Sequence, residues 1–459
     1  MAFKCDALVF FGATGDLARK KIYPALHNLA KRGELDMPVI GVAHSEWSTE
    51  LLRTRVREEL QEHHSPDPKA LAALESKLSY IDGDYTDKNT YGLIKKALGD
   101  AQHPLHYLAI PPELFDDVAQ GLGASNCAKG SRIVVEKPFG RDLASARELN
   151  KILNKVFDES QIFRIDHYLG KEPVQNLVYF RFANPLIEPS WDHEHIESVQ
   201  ITMAESFGVV GRGKFYEQAG AIRDVVQNHM LQLIASLAMS CPSSCDHDAT
   251  REERGKVLQM VRPLTRADVI RGQYSGYLEE PGVAKDSKIE TFAALRFFVD
   301  TNRWEGVPFY VRVGKRLPVT ATEIFVRFKR PRRAVLDETV HSIDSYYRFR
   351  LSPEVVIAMG MAVKKAGELM VGEPLELEAH HQPQTEMEAY ERLLGDAMEG
   401  DATLFAREDA VEASWRAVDP ILGDATPLYT YEPNVTWGPA EVERTLTPLG
   451  GWHDPAAKD

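Results

Sequence analysis

Two patterns in this sequence predict an α/β domain followed by an α+β domain. Short apolar runs alternate with amphipathic segments through about residue 175, which is typical of a Rossmann-like doubly wound parallel sheet. Beyond that point, longer runs alternate apolar and polar residues, which predicts a β+α domain with a large, mainly antiparallel sheet. We therefore expect one domain over residues 1–175 and a second over residues 176–459.

The length and composition limit the class of protein. With 459 residues, of which 44% are hydrophobic, the chain can bury a large core and is long enough for more than one domain. A net charge of −14 argues against nucleic acid as a partner, although an anionic small ligand could bind where basic residues gather locally. The N-terminal apolar run is too short for a signal peptide, no run is long enough to span a membrane, and the four cysteines are scattered. We expect a cytoplasmic protein without a membrane partner.

Each predicted element follows from its local pattern. The apolar run ALVFFG (7–12) predicts a buried parallel strand, and the amphipathic segment that follows it predicts a crossover helix. The same reasoning predicts further parallel strands over 39–43, 78–84, 105–112, 132–138 and 162–167, alternating strands over 293–300, 308–314, 322–329 and 345–351, and helices over 49–64, 222–239 and 383–398.

The first strand ends in the glycine-rich stretch GATGDLARKK (12–21). Gly12 and Gly15 would let a dinucleotide pyrophosphate approach the backbone at a helix N-terminus, and Ala18 stands where the third small residue of such a loop is expected. Two glycines would also fit an ordinary tight turn. The second strand is followed by His44 and Ser45, where an acid would favour NAD and an arginine NADP, so the choice of cofactor stays open.

EKPFG (136–140) follows the fifth strand and should therefore lie at the carboxyl edge of the sheet, where ligands of such folds bind. Lys137 can position a hydroxyl group that is being oxidised. A plain turn is the alternative reading. A cis Lys137–Pro138 peptide bond is also expected to be possible, since X–Pro is its usual site.

RIDHYLGKE (164–172) leaves the sixth strand at the same edge and enters a helix. His167, Tyr168 and Lys171 offer donors beside a helix N-terminus, which suits a phosphate group. The alternative is that His167 and Tyr168 only pack beneath a loop. Asp166 would then orient another group.

The expected partner of Asp166 is His229, in IRDVVQNH. Val225, Val226 and Leu233 place this imidazole on or near the buried face of the 222–239 helix. Most such histidines are core residues, but the polar residues around it favour a site that opens onto a crevice. An imidazole backed by a carboxylate can take a hydroxyl proton at neutral pH.

These motifs in this order resemble the glucose-6-phosphate 1-dehydrogenase family. GATGDLARKKIYPAL, EKPFG, RIDHYLGKE, IRDVVQNH and GKRL cover roughly the first two-thirds of the chain. The resemblance implies a homodimer or dimer of dimers. It also implies that glucose 6-phosphate is oxidised at C1 to 6-phosphoglucono-1,5-lactone, at the entry to the pentose phosphate pathway, with hydride transfer to NADP or NAD.

The resemblance also assigns roles to residues. His229 resembles the general base, Asp166 its carboxylate partner, and His167, Tyr168 and Lys171 the phosphate clamp. Lys137, Glu205, Asp224 and Lys315 resemble the remaining substrate contacts. Cofactor contacts are expected from Gly12, Thr14, Gly15, Asp16, Leu17, His44, Ser45, Pro111 and Lys137.

Three positions depart from the family pattern. His44 stands where many members carry an arginine for the 2′-phosphate of NADP, which makes NAD or dual use a serious option. Thr320 replaces a second basic residue near the phosphate, which Arg316 could offset. Ser352 lies near the position of a glutamine that contacts a sugar hydroxyl, so discrimination between epimers is in question.

Two alternatives to this function remain open. Related dehydrogenases of unphosphorylated sugars also carry EKP, but they would not need the phosphate clamp. The second alternative is a catalytically idle regulator that binds a nucleotide or a sugar phosphate, and the presence of Asp166, His229 and Lys137 argues against it. Cys241, Cys245 and His247 could ligate a metal, but a surface loop is the preferred reading and no metal is expected.

Overall fold

The structure is a computed structural model that describes residues 3–244, 246–331, 343–367, 369–381 and 387–457. Cys245, one of the candidate metal ligands, lies outside the described residues. The chain divides into two compact units. The first unit comprises Met1–Glu172, Pro242–Glu253 and Glu386–Glu412, and the second comprises Pro173–Cys241, Arg254–Thr385 and Ala413–Asp459. A single domain boundary near residue 175 stays a prediction.

The strands of the described residues form two sheets. In chain order they are β1 (Ala7–Phe11), β2 (Val39–Ala43), β3 (Leu78–Asp82), β4 (Pro104–Leu108), β5 (Arg132–Val135), β6 (Ile162–Ile165), β7 (Ile196–Glu205), β8 (Val269–Tyr274), β9 (Phe292–Phe297), β10 (Phe309–Lys315), β11 (Ala321–Phe328), β12 (Tyr346–Ser352), β13 (Val355–Lys364), β14 (Gly372–His381), β15 (Phe405–Ala406) and β16 (Leu428–Tyr431).

The helices are α-helical except for two π-helical segments, Ala18–Ile22 and Ile222–Met230, and several short 3-10 turns. The α-helices are α1 (Tyr23–Arg32), α2 (Thr49–His63), α3 (Pro68–Lys77), α4 (Lys88–Leu98), α5 (Phe115–Ala124), α6 (Leu143–Asn154), α7 (Glu172–Ala183), α8 (Gly213–Ala221), α9 (Leu231–Ala238), α10 (His247–Met260), α11 (Ala389–Glu399), α12 (Glu408–Val418) and α13 (Glu441–Thr445). The 3-10 turns are Pro112–Leu114, Glu159–Gln161, Glu188–Ser190, Arg266–Asp268, Tyr277–Glu279, Asn302–Trp304, Asp419–Ile421 and Gly423–Ala425.

The first unit contains the predicted doubly wound sheet. Its strand order is β15-β6-β5-β4-β1-β2-β3, and all pairs are parallel except β15 with β6. Every residue of β1, β2 and β4 is buried, because helices cover both faces of the sheet. The chain reverses its winding direction between β1 and β4, and ligands of such folds bind at that switch point.

Side-chain caps fix the N-termini of helices α2, α3, α4 and α6 in the first unit. Ser48 accepts a hydrogen bond from the Leu51 amide at the start of α2, and Asp67 and Asp87 cap α3 and α4 in the same way. Asp142 forms a capping box with Ser145 at the start of α6. Each cap satisfies amide groups that have no partner within the helix, which explains why these helices begin where the sequence places them.

The second unit contains the predicted large, mainly antiparallel sheet. Its order is β14-β13-β12-β11-β7-β10-β9-β8-β16, with parallel pairing only between β7 and β10 and between β8 and β16. The central strand β7 was not predicted, because the polar residues Ser198, Gln200 and Thr202 occupy buried positions along it. Gln200 is satisfied there by the Gly451 carbonyl and the His453 amide.

The helix predicted over residues 222–239 needs a correction. Its first half, Ile222–Met230, is π-helical, and only Leu231–Ala238 is α-helical. Apolar periodicity locates such a segment but does not distinguish i→i+4 from i→i+5 hydrogen bonding. Among the residues that the structure describes, no helix is both long and apolar enough to cross a bilayer.

Candidate active site

The glycine loop after β1 has a backbone that only glycine can adopt at its first position. Gly12 has φ +82°, and a Cβ atom there would lie 2.2 Å from the carbonyl oxygen of Ala109. The Gly15 amide closes the turn by donating to the Gly12 carbonyl at 3.0 Å, and helical residues begin at Asp16, ahead of the π-helical segment Ala18–Ile22. A tight loop that leads into a helix at the switch point is the arrangement that holds a dinucleotide pyrophosphate. The loop therefore fits this part of the cofactor.

The remaining predicted cofactor contacts lie at the carboxyl ends of neighbouring strands. The Thr14 and Ser45 hydroxyl oxygens are 2.8 Å apart, which joins the loop after β1 to the end of β2. His44, beside Ser45, is exposed. Asp16 forms ion pairs with basic residues of the following helix, and Pro111 follows β4 immediately before a 3-10 turn. Leu17 packs against the hydrophobic core of this unit.

Lys137 follows β5 in a half-buried position, and the Lys137–Pro138 bond is cis as expected. The residue before it, Glu136, is buried and accepts a hydrogen bond from the Tyr107 hydroxyl at 2.5 Å. Burial raises the pKa of Glu136 to about 7. Burial and the neighbouring Glu136 also raise the pKa of Tyr390. Two tyrosines therefore surround the carboxyl group next to Lys137, which the sequence analysis did not anticipate.

The residues of RIDHYLGKE that were predicted to bind phosphate lie together. Tyr168 donates its amide hydrogen to Oδ1 of Asp166 at 3.0 Å, and both side chains are buried. The Nζ atom of Lys171 lies 3.8 Å from the centroid of the Tyr168 ring. His167 packs edge-to-face on Tyr168 and stacks on Tyr390 with centroids 6.2 Å apart. One ammonium, one phenol and one imidazole are thus presented on a single turn.

His229 and Asp224 belong to the π-helical segment of the second unit. The His229 side chain is 2% exposed, and Asp224 is half-buried. A π-helix places residues five apart on successive turns, so Asp224 and His229 share one side of the segment. Glu290 fixes its start, because Oε1 of Glu290 accepts from the Ile222 amide at 3.1 Å and its carbonyl accepts from Ala221. Asp224 and His229 therefore lie on a segment that is π-helical rather than α-helical.

Glu205 and Lys315 form an ion pair at the ends of adjacent parallel strands. They are register partners of β7 and β10, and the Lys315 ammonium contacts a Glu205 carboxylate oxygen. Lys315 Nζ lies 5.0 Å from the Phe207 ring centroid and 5.8 Å from that of Tyr216. Burial and the carboxylates of Asp224, Glu290 and Glu205 raise the pKa of Tyr216. The structure thus gathers Glu205, Lys315 and Asp224 around a buried tyrosine.

The structure shows the contacts of Thr320 and Ser352, two of the positions that depart from the family pattern, and of Arg316. Thr320 bonds to Ser206, with the two hydroxyl oxygens 2.8 Å apart, next to the Glu205 strand end. Arg316 has a left-handed φ of +51°, and its amide donates to the Phe207 carbonyl. Ser352 is half-buried and pairs in register with Thr322.

Cys241, one of the candidate metal ligands, is exposed in a segment outside helices and strands.

The predicted residues fall into two groups. Asp166, His167, Tyr168, Lys171, Lys137 and the cofactor contacts belong to the first unit, whereas His229, Asp224, Glu205 and Lys315 belong to the second. The pairing of Asp166 with His229 therefore stays a prediction. Glu136, Tyr216 and Glu290 are not among the residues predicted from the sequence. For Glu136, the available signal was a carboxylate between a buried strand and Lys137.

The doubly wound sheet with its glycine loop, joined to a second unit that carries polar strand ends, defines a nicotinamide-dependent oxidoreductase. Residues 9–176 match the family model "Glucose-6-phosphate dehydrogenase, NAD binding domain", and residues 178–453 match "Glucose-6-phosphate dehydrogenase, C-terminal domain". The chain belongs to the glucose-6-phosphate dehydrogenase family. This confirms the resemblance and the fold class inferred from the sequence.

Relatives and solved structures agree with this assignment. Glucose-6-phosphate 1-dehydrogenase 1 of Mycobacterium tuberculosis is 39% identical over 462 residues, which cover 98% of this chain and 96% of the relative. The enzyme of Aggregatibacter actinomycetemcomitans is 40% identical over 98% of this chain and 97% of its own. The Mycobacterium avium crystal structure has a TM-score of 0.92 at 39% identity, covering 99% of this chain and 100% of that chain. A glucose-6-phosphate dehydrogenase in complex with glucose 6-phosphate has a TM-score of 0.89 at 35% identity, with the same coverage.

Proposed function

We propose that this protein oxidises glucose 6-phosphate at C1 to 6-phosphoglucono-1,5-lactone, at the entry to the pentose phosphate pathway. The observation that carries the proposal is the match of the two family models, over residues 9–176 and residues 178–453. The C1–H bond breaks with its electron pair leaving as hydride, the hydroxyl loses its proton, and the C1–O bond becomes the lactone carbonyl. When bound, the oxidised nicotinamide supplies the hydride acceptor.

His229 takes the C1 hydroxyl proton. Its burial on the π-helical segment limits its rotamers, which suits a base that must meet one hydroxyl group. Asp166 orients the imidazole and stabilises the cation that forms, a role supported by its buried carboxylate and by the family motif. Lys137 positions the reacting hydroxyl from the carboxyl edge of the first sheet.

The phosphate group of the substrate is held by the turn after β6. His167, Tyr168 and Lys171 lie together there and offer an imidazole, a phenol and an ammonium group as hydrogen-bond donors. Glu205, Asp224 and Lys315 supply further contacts from the second unit. A carboxylate can accept hydrogen bonds from sugar hydroxyls, and an ammonium can donate to phosphate.

The cofactor lies on the glycine loop. Gly12, Thr14, Gly15, Asp16 and Leu17 would hold the pyrophosphate through the loop and the helix start, and Pro111 and Lys137, which follow β4 and β5, would contact the nicotinamide half. His44 and Ser45, which follow β2, would contact the adenosine ribose. The cofactor is NADP or NAD.

The protein is proposed to be a cytoplasmic homodimer or dimer of dimers that uses glucose 6-phosphate and binds neither nucleic acid nor membrane. Multi-angle light scattering of the full chain at several concentrations tests the oligomeric state. A mass twice or four times that of the 51.5 kDa chain is expected.

The activity is tested by initial rates of cofactor reduction with purified protein. Glucose 6-phosphate, other hexose 6-phosphates and free glucose are each offered with NADP and with NAD, and each pair is reported as kcat/KM. The highest value is expected with glucose 6-phosphate. Comparable values with free glucose would favour a dehydrogenase of unphosphorylated sugars, and binding of ligands without turnover would favour an idle binding protein.

A further inference from the structure

Two consecutive backbone amides after β2 point at one side-chain oxygen. The Ser45 and Glu46 N–H groups each donate to Oδ1 of Asp82 at 3.1 Å. Glu46 has a left-handed φ of +51°, a conformation that non-glycine residues rarely adopt. Successive amides that converge in this way form a nest, a concavity that binds anions. In this protein, the carboxylate of Asp82 occupies the nest.

The nest lies where the adenosine half of a dinucleotide is expected. Strands β1, β2 and β3 are adjacent in the sheet, and Asp82 ends β3 as the register partner of Ala43. Ser45, which forms one side of the nest, also contacts Thr14 of the loop after β1. In doubly wound folds, the residue that reads the ribose 2′ position lies at the end of β2.

The charges around the nest are mainly negative. Asp82 and Glu46 are exposed, and Asp84 lies two residues beyond Asp82. Hydrogen bonds from Thr86, together with the nearby His44, hold the pKa of the Asp84 carboxyl below its usual range, so it is ionised. His44 is the basic side chain next to Ser45 in the chain, and a neutral imidazole donates only one hydrogen bond.

We propose that Asp82 is the specificity-determining residue that makes this protein prefer NAD to NADP, an inference that rests on the proposed function. A carboxylate can accept a hydrogen bond from the ribose 2′-hydroxyl of NAD, as an acidic residue does in many NAD-binding sheets. The 2′-phosphate of NADP would meet this carboxylate instead, and the amides that could bind the phosphate are already engaged by Asp82. An acid from β3 thus does the work usually done by an acid at the end of β2.

The test is direct binding to the full-length protein, measured by isothermal titration calorimetry without sugar substrate. NAD and NADP are the probes, together with 5′-AMP and 2′,5′-ADP, which differ only in the 2′-phosphate. Asp82→Asn keeps an acceptor oxygen for the two amides and removes the charge, whereas Asp82→Ala empties the nest. Asp84→Asn is the matched control, because it removes a neighbouring charge that does not contact the nest.

We expect wild-type protein to bind NAD more tightly than NADP. Asp82→Asn should shift the ratio of the two dissociation constants toward NADP by roughly tenfold or more, since a like charge is removed, with a parallel shift for 2′,5′-ADP against 5′-AMP. Asp82→Ala should shift it at least as far, and Asp84→Asn should shift it less than threefold.

Three results would overturn the inference. They are tighter binding of NADP than NAD by the wild type, a ratio unchanged within twofold in Asp82→Asn, and equal shifts in Asp82→Asn and Asp84→Asn. If these occur while glucose 6-phosphate still reduces a cofactor, only the role of Asp82 is lost. A wild-type protein that binds neither cofactor and oxidises no glucose 6-phosphate would overturn the proposed function as well.

Discussion

The Nζ atom of Lys171 lies 3.8 Å from the centroid of the Tyr168 ring, on the turn that leaves β6. This cation–π contact holds a flexible lysine in one place before any ligand arrives. The Tyr168 ring is itself fixed, because the side chain is buried and its backbone amide is bonded to Asp166. The turn therefore presents a preorganised ammonium group to an anionic substrate, which reduces the entropy lost on binding.

Removal of this ammonium should selectively weaken binding of the phosphorylated sugar. Lys171→Ala is expected to raise KM for glucose 6-phosphate by roughly tenfold to a hundredfold, as for loss of a charge-assisted hydrogen bond, with little change in KM for free glucose. Initial rates with both sugars measure this difference. Lys151→Ala, at a lysine that is 70% exposed on α6, is the control and should change neither constant. Unchanged discrimination between the two sugars would remove Lys171 from the phosphate site.

Loss of the proposed base should lower turnover rather than binding. His229→Asn is expected to lower kcat by roughly 10²–10⁴, with little change in the dissociation constant of glucose 6-phosphate. Single-turnover kinetics and calorimetric titration separate these two effects. His195→Asn, at a half-exposed histidine paired with Asp192, serves as the control. Near-normal kcat in His229→Asn would assign proton removal to another group.

A methyl group on the glycine loop should damage the cofactor site more than the same change at an open position. Gly12 and Gly33 have similar left-handed φ values of +82° and +76°, but only at Gly12 would a Cβ atom strike a backbone carbonyl. Both alanine variants should lose about 1–2 kcal/mol from the φ penalty. Gly12→Ala should lose about 1–3 kcal/mol more from the clash and bind NAD more weakly.

Thermal unfolding and cofactor titration of the two glycine variants check this expectation. Gly33→Ala should keep the wild-type affinity for NAD. Equal losses of stability and affinity in the two variants would show that the close approach to Ala109 has no consequence.

The buried Glu136 should make stability fall as pH rises. Burial raises the pKa of Glu136 in the folded protein from an ordinary 4.5 to about 7. Between these two pH values the folded protein keeps the Glu136 proton, whereas the unfolded chain releases it. The free energy of unfolding therefore decreases through this window, by about 3 kcal/mol in total. Glu136→Gln cannot release this proton and should escape the decrease.

Apparent melting temperatures from pH 4 to pH 8.5 measure this effect. The melting temperature of Glu136→Gln minus that of the wild type should increase between about pH 4.5 and pH 7 and then level off. Glu148→Gln, at a side chain that is 62% exposed, should give a constant difference. A constant difference for Glu136→Gln as well would contradict the raised pKa.

The sequence predicted those elements whose local apolar pattern is regular, either as a continuous apolar run or as a strict alternation. β1, β2 and β4 are fully buried and were found from their apolar runs. The central strand β7 was not predicted, because it carries buried polar residues. One of these, Gln200, is hydrogen-bonded to residues that are distant in the chain, and a local sequence pattern contains no information about such contacts. Likewise, periodicity located the segment that holds His229 but not its π-helical form.

Some residues of the candidate site could be grouped from the sequence, whereas others are brought together only by the order of the strands. His167, Tyr168 and Lys171 contact one another within five residues of the chain, so spacing alone could group them. Asp82, in contrast, meets Ser45 and Glu46 only because β2 and β3 are adjacent in the sheet. Glu136 and Tyr107 meet across neighbouring strands for the same reason. Such contacts depend on strand order, which a local pattern does not contain.

The central claim, oxidation at C1 of glucose 6-phosphate, is tested most directly by following the substrate carbon itself. Purified protein is incubated with [1-13C]glucose 6-phosphate and oxidised NAD or NADP, and the labelled carbon is observed by NMR while reduced cofactor is measured by absorbance. We expect the anomeric signal to be replaced by that of a lactone carbonyl, and then of its hydrolysis product, with one reduced cofactor formed for each C1 oxidised. Cofactor reduction that leaves C1 unchanged, or no reduction with either cofactor, would contradict the assignment.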